Sequence, residues 1–133
     1  MTPEQLRAAR QTLGLSAAEL AALAGFTDAA GVDALERPDR SVNPRVARLM
    51  QAYLTGYRPA GWPSQPTPPM IPDELRDARK RLGLTGAQLA SAMGYTDRKA
   101  IVHIENGKTQ PSAGAVPLLR AFLDGYRPPD WPA

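Results

Sequence analysis

Displaced by 69 positions, the chain lies over itself. Met1–Ser64 aligns with Met70–Ala133 without a gap, and 25 of the 64 pairs are identical. The densest stretch sets TPEQLRAARQTLGLSAAELAALAGFTD against IPDELRDARKRLGLTGAQLASAMGYTD. Two copies are too few for a solenoid, whose repeats cannot bury their apolar faces alone. A duplicated compact unit of about 55 residues is the consistent reading. Whatever fold is assigned must therefore suit half the chain and then recur.

The 133 residues leave room for two small domains. Hydrophobic content is 43% but aromatics only 6%, which suits cores of Leu and Ala. No cysteine and a single histidine exclude disulfides, thiolate metal sites and His-rich metal centres. No apolar run approaches the roughly 20 residues of a membrane span. The opening MTPEQLRAARQ reads as polar helix, not as a signal peptide. The expectation is a cytoplasmic protein with no membrane partner. The net charge of +3 and pI near 9.6 permit nucleic-acid binding without requiring it.

Each copy reads as four short helices. The first opens at Thr2-Pro3, with Gln5 completing a capping box, and buries Leu6, Ala9 and Leu13, repeated as Leu75, Ala78 and Leu82. Gly14 and Gly83 end it. Ser16–Glu19 and Thr85–Gln88 are capping boxes for the second helix, which stops at Gly25 or Gly94. The third helix falls in Thr96–Ser112, with Asp28–Arg37 as its counterpart. The fourth is Pro44–Thr55, capped by Asn43. Its counterpart in Ala113–Asp124 carries Pro117 and is expected to start late, near Val116. GYRPAGWPS and GYRPPDWPA close the two copies as non-helical tails, expected to dock on the surface. Pro59–Pro72 holds six prolines and reads as a semi-rigid spacer that reaches roughly 40 Å undocked. The division is residues 1–58, a linker at 59–71, and residues 72–133.

Thr96–Ser112, TDRKAIVHIENGKTQPS, combines a helix cap, two bases, and Ile101 and Ile104 on one face. With the capped helix and glycine turn before it, this forms a helix-turn-helix. An ordinary basic surface helix is the plainer alternative. LGLTGAQLASAMGYTDRKAIVHIENGKTQPS resembles the Cro/lambda-repressor-like (XRE-type) helix-turn-helix family, and the first copy resembles it too. The resemblance implies an all-α fold of two tandem helix-turn-helix domains, each docking its third helix in the major groove of double-stranded DNA. It implies base contacts from Arg98, Lys99, Val102 and His103. Arg and Lys suit guanine acceptors, and Val suits a thymine methyl. It implies phosphate contacts from Thr85, Asn106, Lys108 and the adjoining Thr109. Ala17 and Gly86 stand where the family often has a DNA-contacting Gln, so that contact is missing. The resemblance also implies structural ion pairs, Arg10 with Glu36 and Arg79 with Glu105.

The first copy keeps this scaffold but sets Ala29, Ala30, Asp33 and Ala34 opposite the four reading residues. Alanine offers no hydrogen bond to a base, and Asp33 faces phosphate with the wrong charge. Arg37, Arg40 and Arg45 remain candidates for DNA backbone contact. The leading expectation is a sequence-specific transcriptional regulator, a repressor acting by occlusion, that reads DNA mainly through the second copy. Equal binding by both copies, with alanines against thymine methyls, is the alternative within that class. A protein-interaction adaptor or antitoxin-like protein, docking a protein partner on the first copy, is the alternative outside it. The chain is expected to act as a monomeric pseudo-dimer or a homodimer. No catalytic constellation, cofactor motif or metal site is recognisable, so an enzyme is not expected.

Overall fold

The computed structural model describes residues 1–63 and 65–132, and among them it contains eight helices and no strand. The first copy holds α1 (Pro3–Thr12), α2 (Ala17–Ala24), α3 (Ala29–Leu35) and α4 (Pro44–Leu54). The second holds α5 (Pro72–Arg81), α6 (Gly86–Met93), α7 (Lys99–Glu105) and α8 (Ala115–Leu123). The fold is all-α. One hydrophobic cluster gathers Leu6, Leu20, Val32, Leu49 and Tyr53; a second gathers Leu75, Leu89, Ile101, Leu118 and Phe122. Among the described residues, no helix is long and apolar enough to cross a membrane.

The helix starts follow from local chemistry. Thr2, Ser16 and Thr85 each accept a backbone N–H three residues on, and Gln5, Glu19 and Gln88 reach back to the cap's own N–H. These boxes satisfy donors that the first turn leaves unpaired. Ile71 has no side-chain oxygen, so α5 keeps only half the device, Glu74 Oε1 accepting from Ile71 N at 3.0 Å. Pro117 occupies the third position of α8, where its missing N–H costs no intrahelical bond. The proline delays the helix, which begins at Ala115 without a break.

The tails pack on their own copies. Trp62 meets Tyr53 edge-on at 4.9 Å between centroids, and Trp131 meets Phe122 at 5.0 Å. Arg58 Nη1 donates to the carbonyls of Tyr53 and Tyr57, and Arg127 Nη1 to those of Phe122 and Tyr126. Each guanidinium also lies over its tryptophan, at 4.5 and 4.3 Å. The repeated Tyr-Arg-Pro and Trp-Pro are thus one device: arginine caps the last helix of each copy and clamps the tryptophan on its core. Ser64 and Ala133, which end the tails, lie outside the described residues.

The copies pack against each other. α4 lies on α8, its repeat equivalent, while α2 touches α8 and α6 touches α4. This reciprocity describes an approximate two-fold relation within one chain. Arg48 forms a two-pronged pair with Asp130, at 3.0 and 2.8 Å, and the Tyr57 hydroxyl donates to Asp124 at 2.7 Å. The proline segment is not the free spacer its composition suggests. Residues 59–63 belong to the first tail. Beyond them, Thr67 N and Oγ1 donate to the carbonyls of Ala22 and Leu23, and Arg120 holds those of Pro68 and Pro69. Backbone bonds on one side and an arginine on the other lay the segment along both copies.

Candidate nucleic-acid interface

α6 ends at Gly94, where φ of +79° suits only glycine, and the chain turns sharply into α7. Asp97 Oδ1 accepts from Lys99 N at 2.8 Å and fixes the first turn. Ile101, Ile104 and Glu105 point inward and are buried. Helical spacing then turns Arg98, Lys99 and Val102 outward, and all three are exposed, Val102 by 44%. His103 is half-buried, and its carbonyl accepts from Lys108 N at 2.9 Å. Asn106, Lys108 and Thr109 are exposed in the loop that follows, and Thr85 is exposed at the cap of α6. Among the described residues, no ion pair occupies Arg98, Lys99, His103 or Lys108.

The inner side of α7 is locked. Arg79 Nε and Nη2 donate to the two oxygens of Glu105 at 2.7 and 3.1 Å, and its Nη1 holds the carbonyl of Leu84. Arg10 grips Glu36 the same way, at 2.7 and 3.0 Å, and holds Leu15. A third member was not singled out in the sequence. Arg7 Nε donates to Glu36 Oε1 at 3.2 Å, and Arg76 Nη2 to the carbonyl of Glu105 at 3.0 Å. Both are identical between copies and lie one turn before the paired arginine, which is the signal that marks them. Burial works to raise the Glu36 carboxyl, but hydrogen bonds from Arg10 and Arg7 prevail and hold it below its ordinary value.

Residues 73–130 match the family model for a helix-turn-helix domain. The second copy is similar to a helix-turn-helix domain over most of its length. No curated protein and no solved structure matches the chain. The match takes in α6, the Gly94 turn and α7, the elements that place the exposed basic edge.

The corresponding edge of α3 is different. Ala30 and Asp33 are exposed, Ala29 and Ala34 half-buried, and Val32 is the residue packed inward. Arg37 and Arg40 are exposed. Arg45 is not free for phosphate as it stands. Its Nη1 donates to the carbonyl of Gly94 at 3.0 Å and its Nε to Ser112 Oγ at 3.1 Å, with its guanidinium 4.0 Å above the Tyr95 ring. Burial lowers its pKa, partly countered by Tyr95. Lys80 and Arg81 end α5 in exposed positions, where the first copy has Gln11 and Thr12, so the extra base of the second copy extends beyond α7.

Proposed function

We propose that the protein is a sequence-specific DNA-binding transcriptional regulator of the Cro/lambda-repressor-like type, a repressor that occludes its site, with no enzymatic activity. The supporting observation is the division of α7. Ile101, Ile104 and Glu105 are held in the core, while Arg98, Lys99 and Val102 stand out with no internal partner among the described residues. Arg98 and Lys99 address guanine, Val102 a thymine methyl, and His103 an acceptor on the base edge. Thr85, Asn106, Lys108 and Thr109 address phosphate. The cytoplasm is the compartment this role implies.

The first copy contributes position more than sequence reading. Its α3 offers Ala29, Ala30, Asp33 and Ala34, which carry no donor for a base, while Arg37 and Arg40 supply backbone contact. One chain therefore acts as an asymmetric pseudo-dimer. Genomic-fragment selection followed by footprinting tests this. Protection of one half-site, lost in Arg98→Ala and kept in Arg37→Ala, is expected; equal protection of two half-sites would remove the asymmetry.

A second reading uses the same alanine face to dock a protein, making the chain an adaptor or antitoxin-like protein. DNA affinity that falls steeply with salt favours the first reading. DNA affinity that is weak and flat with salt favours the second.

A further inference from the structure

We propose that the first copy braces the helix-turn-helix of the second, with Arg45 as the positioning residue that sets where α7 presents its reading edge. The consequence for DNA rests on the function proposed above; the brace itself does not. Arg45 belongs to α4, yet all three partners of its side chain belong to the second copy. Gly94 and Tyr95 form the turn that leads into α7, and Ser112 lies in the segment that leaves it. The Tyr95 hydroxyl and Ser112 Oγ are 3.0 Å apart, which closes the group around the guanidinium. A helix of only seven residues is thus held at both approaches by one side chain from the other copy. Gly94 itself is hemmed in: a Cβ there would lie 3.0 Å from Pro44 Cβ and 3.1 Å from Arg48 Nε.

The repeat shows that the arginine of this brace is one-sided. The equivalent of Arg45 is Gly114, which has no side chain to offer. Its backbone N–H donates to the Ala24 carbonyl at 2.8 Å, and a Cβ at Gly114 would lie 2.8 Å from Val46 N. So α3, with its alanine edge, receives one backbone bond at the turn before it and one in the segment after it, where Asn43 Nδ2 donates to the Ala113 carbonyl at 3.0 Å, but no guanidinium. α7, with its basic edge, receives two hydrogen bonds and a stacked guanidinium. A guanidinium drawn partly out of water must keep its partners, so Arg45 holds the turn in place of contacting phosphate.

The test uses the full chain. Arg45→Met and Ser112→Ala break the brace. Tyr57→Phe is the control, because it removes a bond of the same interface at the tail end, the one to Asp124. Amide exchange of Tyr95 and Val102 is read without DNA, relative to first-copy amides. Affinities for the selected site and for a random duplex are read across salt. Arg45→Met should speed exchange at both amides by about tenfold. It should weaken the selected site by about tenfold while leaving the random duplex and the salt slope unchanged. Ser112→Ala should move both readouts in the same direction by less, and Tyr57→Phe should move neither. Equal weakening on both duplexes with a salt slope lower by about one would make Arg45 a phosphate contact and overturn the brace. Equal effects from Tyr57→Phe would reduce it to general interface stability. If the unaltered chain binds no DNA, the proposed function fails, and the exchange measurement still decides the brace.

Discussion

A methyl group on Gly31 would lie 2.5 Å from Cδ1 and 2.8 Å from Cγ of Phe26. α3 therefore runs directly beneath the ring of the residue that leads into it. In the second copy the pair is Ala100 and Tyr95, and the tyrosine turns its hydroxyl to Ser112. Gly31 looks like a flaw in a helix when only propensity is considered. Replacing it with Ala would then gain about 0.5–1 kcal/mol. Overpacking costs about 1–3 kcal/mol, and here the neighbour is a partly buried ring, so the clash wins. Gly31→Ala should lower stability by about 1 kcal/mol or more in urea unfolding. In a Phe26→Ala background the same substitution should be neutral or stabilising, and a double-mutant cycle reads the difference.

The arginine–glutamate locks make a prediction about acid. Glu36 is held below its ordinary carboxyl value of 4.5. Its contribution is complete above that value and is lost as pH falls through the lower folded one. Urea midpoints followed downward from pH 6 should fall with acid in the unaltered protein and fall less in Glu36→Gln. At neutral pH, Glu36→Gln should cost about 3 kcal/mol, because Arg10 is left largely buried without its charge partner. Glu105→Gln should cost a similar amount and also loosen α7.

Much of each copy is legible in the sequence because its determinants are local. Thr2–Gln5, Ser16–Glu19 and Thr85–Gln88 announce helix starts within four residues, and Gly25 and Gly94 announce the turn. The packing of copy on copy is not local. Arg48 and Asp130 are 82 positions apart and Arg45 and Gly94 are 49, and such pairs leave no periodic trace. One signal was present. α8 buries Ala115, Pro117, Leu118, Leu119, Ala121 and Phe122, which is more than one face of a nine-residue helix. A helix apolar nearly all round needs neighbours on both sides. The proline segment misleads for a related reason. Its composition sets stiffness, but Thr67 and Arg120 decide that it docks.

The proposed division of labour between the copies is tested by a graft. Carrying Arg, Lys, Val and His onto positions 29, 30, 33 and 34 should leave stability within about 1 kcal/mol, since three of these four side chains replace exposed or half-buried alanine. It should also extend the protected DNA by a second half-site resembling the first. A footprint unchanged by the graft would mean that α3 does not face DNA. The check is footprinting of the grafted and unaltered chains side by side.

The central claim is that the exposed edge of α7 reads bases. The most direct measurement is the affinity of Arg98→Ala, Lys99→Ala and the double variant for the site selected by the unaltered chain. The same duplexes with single base changes are run alongside. Each substitution should cost about 1–3 kcal/mol on the selected site and relax preference at particular base pairs. Arg37→Ala should weaken all duplexes alike and by less. Unchanged affinity and unchanged base preference in the double variant would contradict the account.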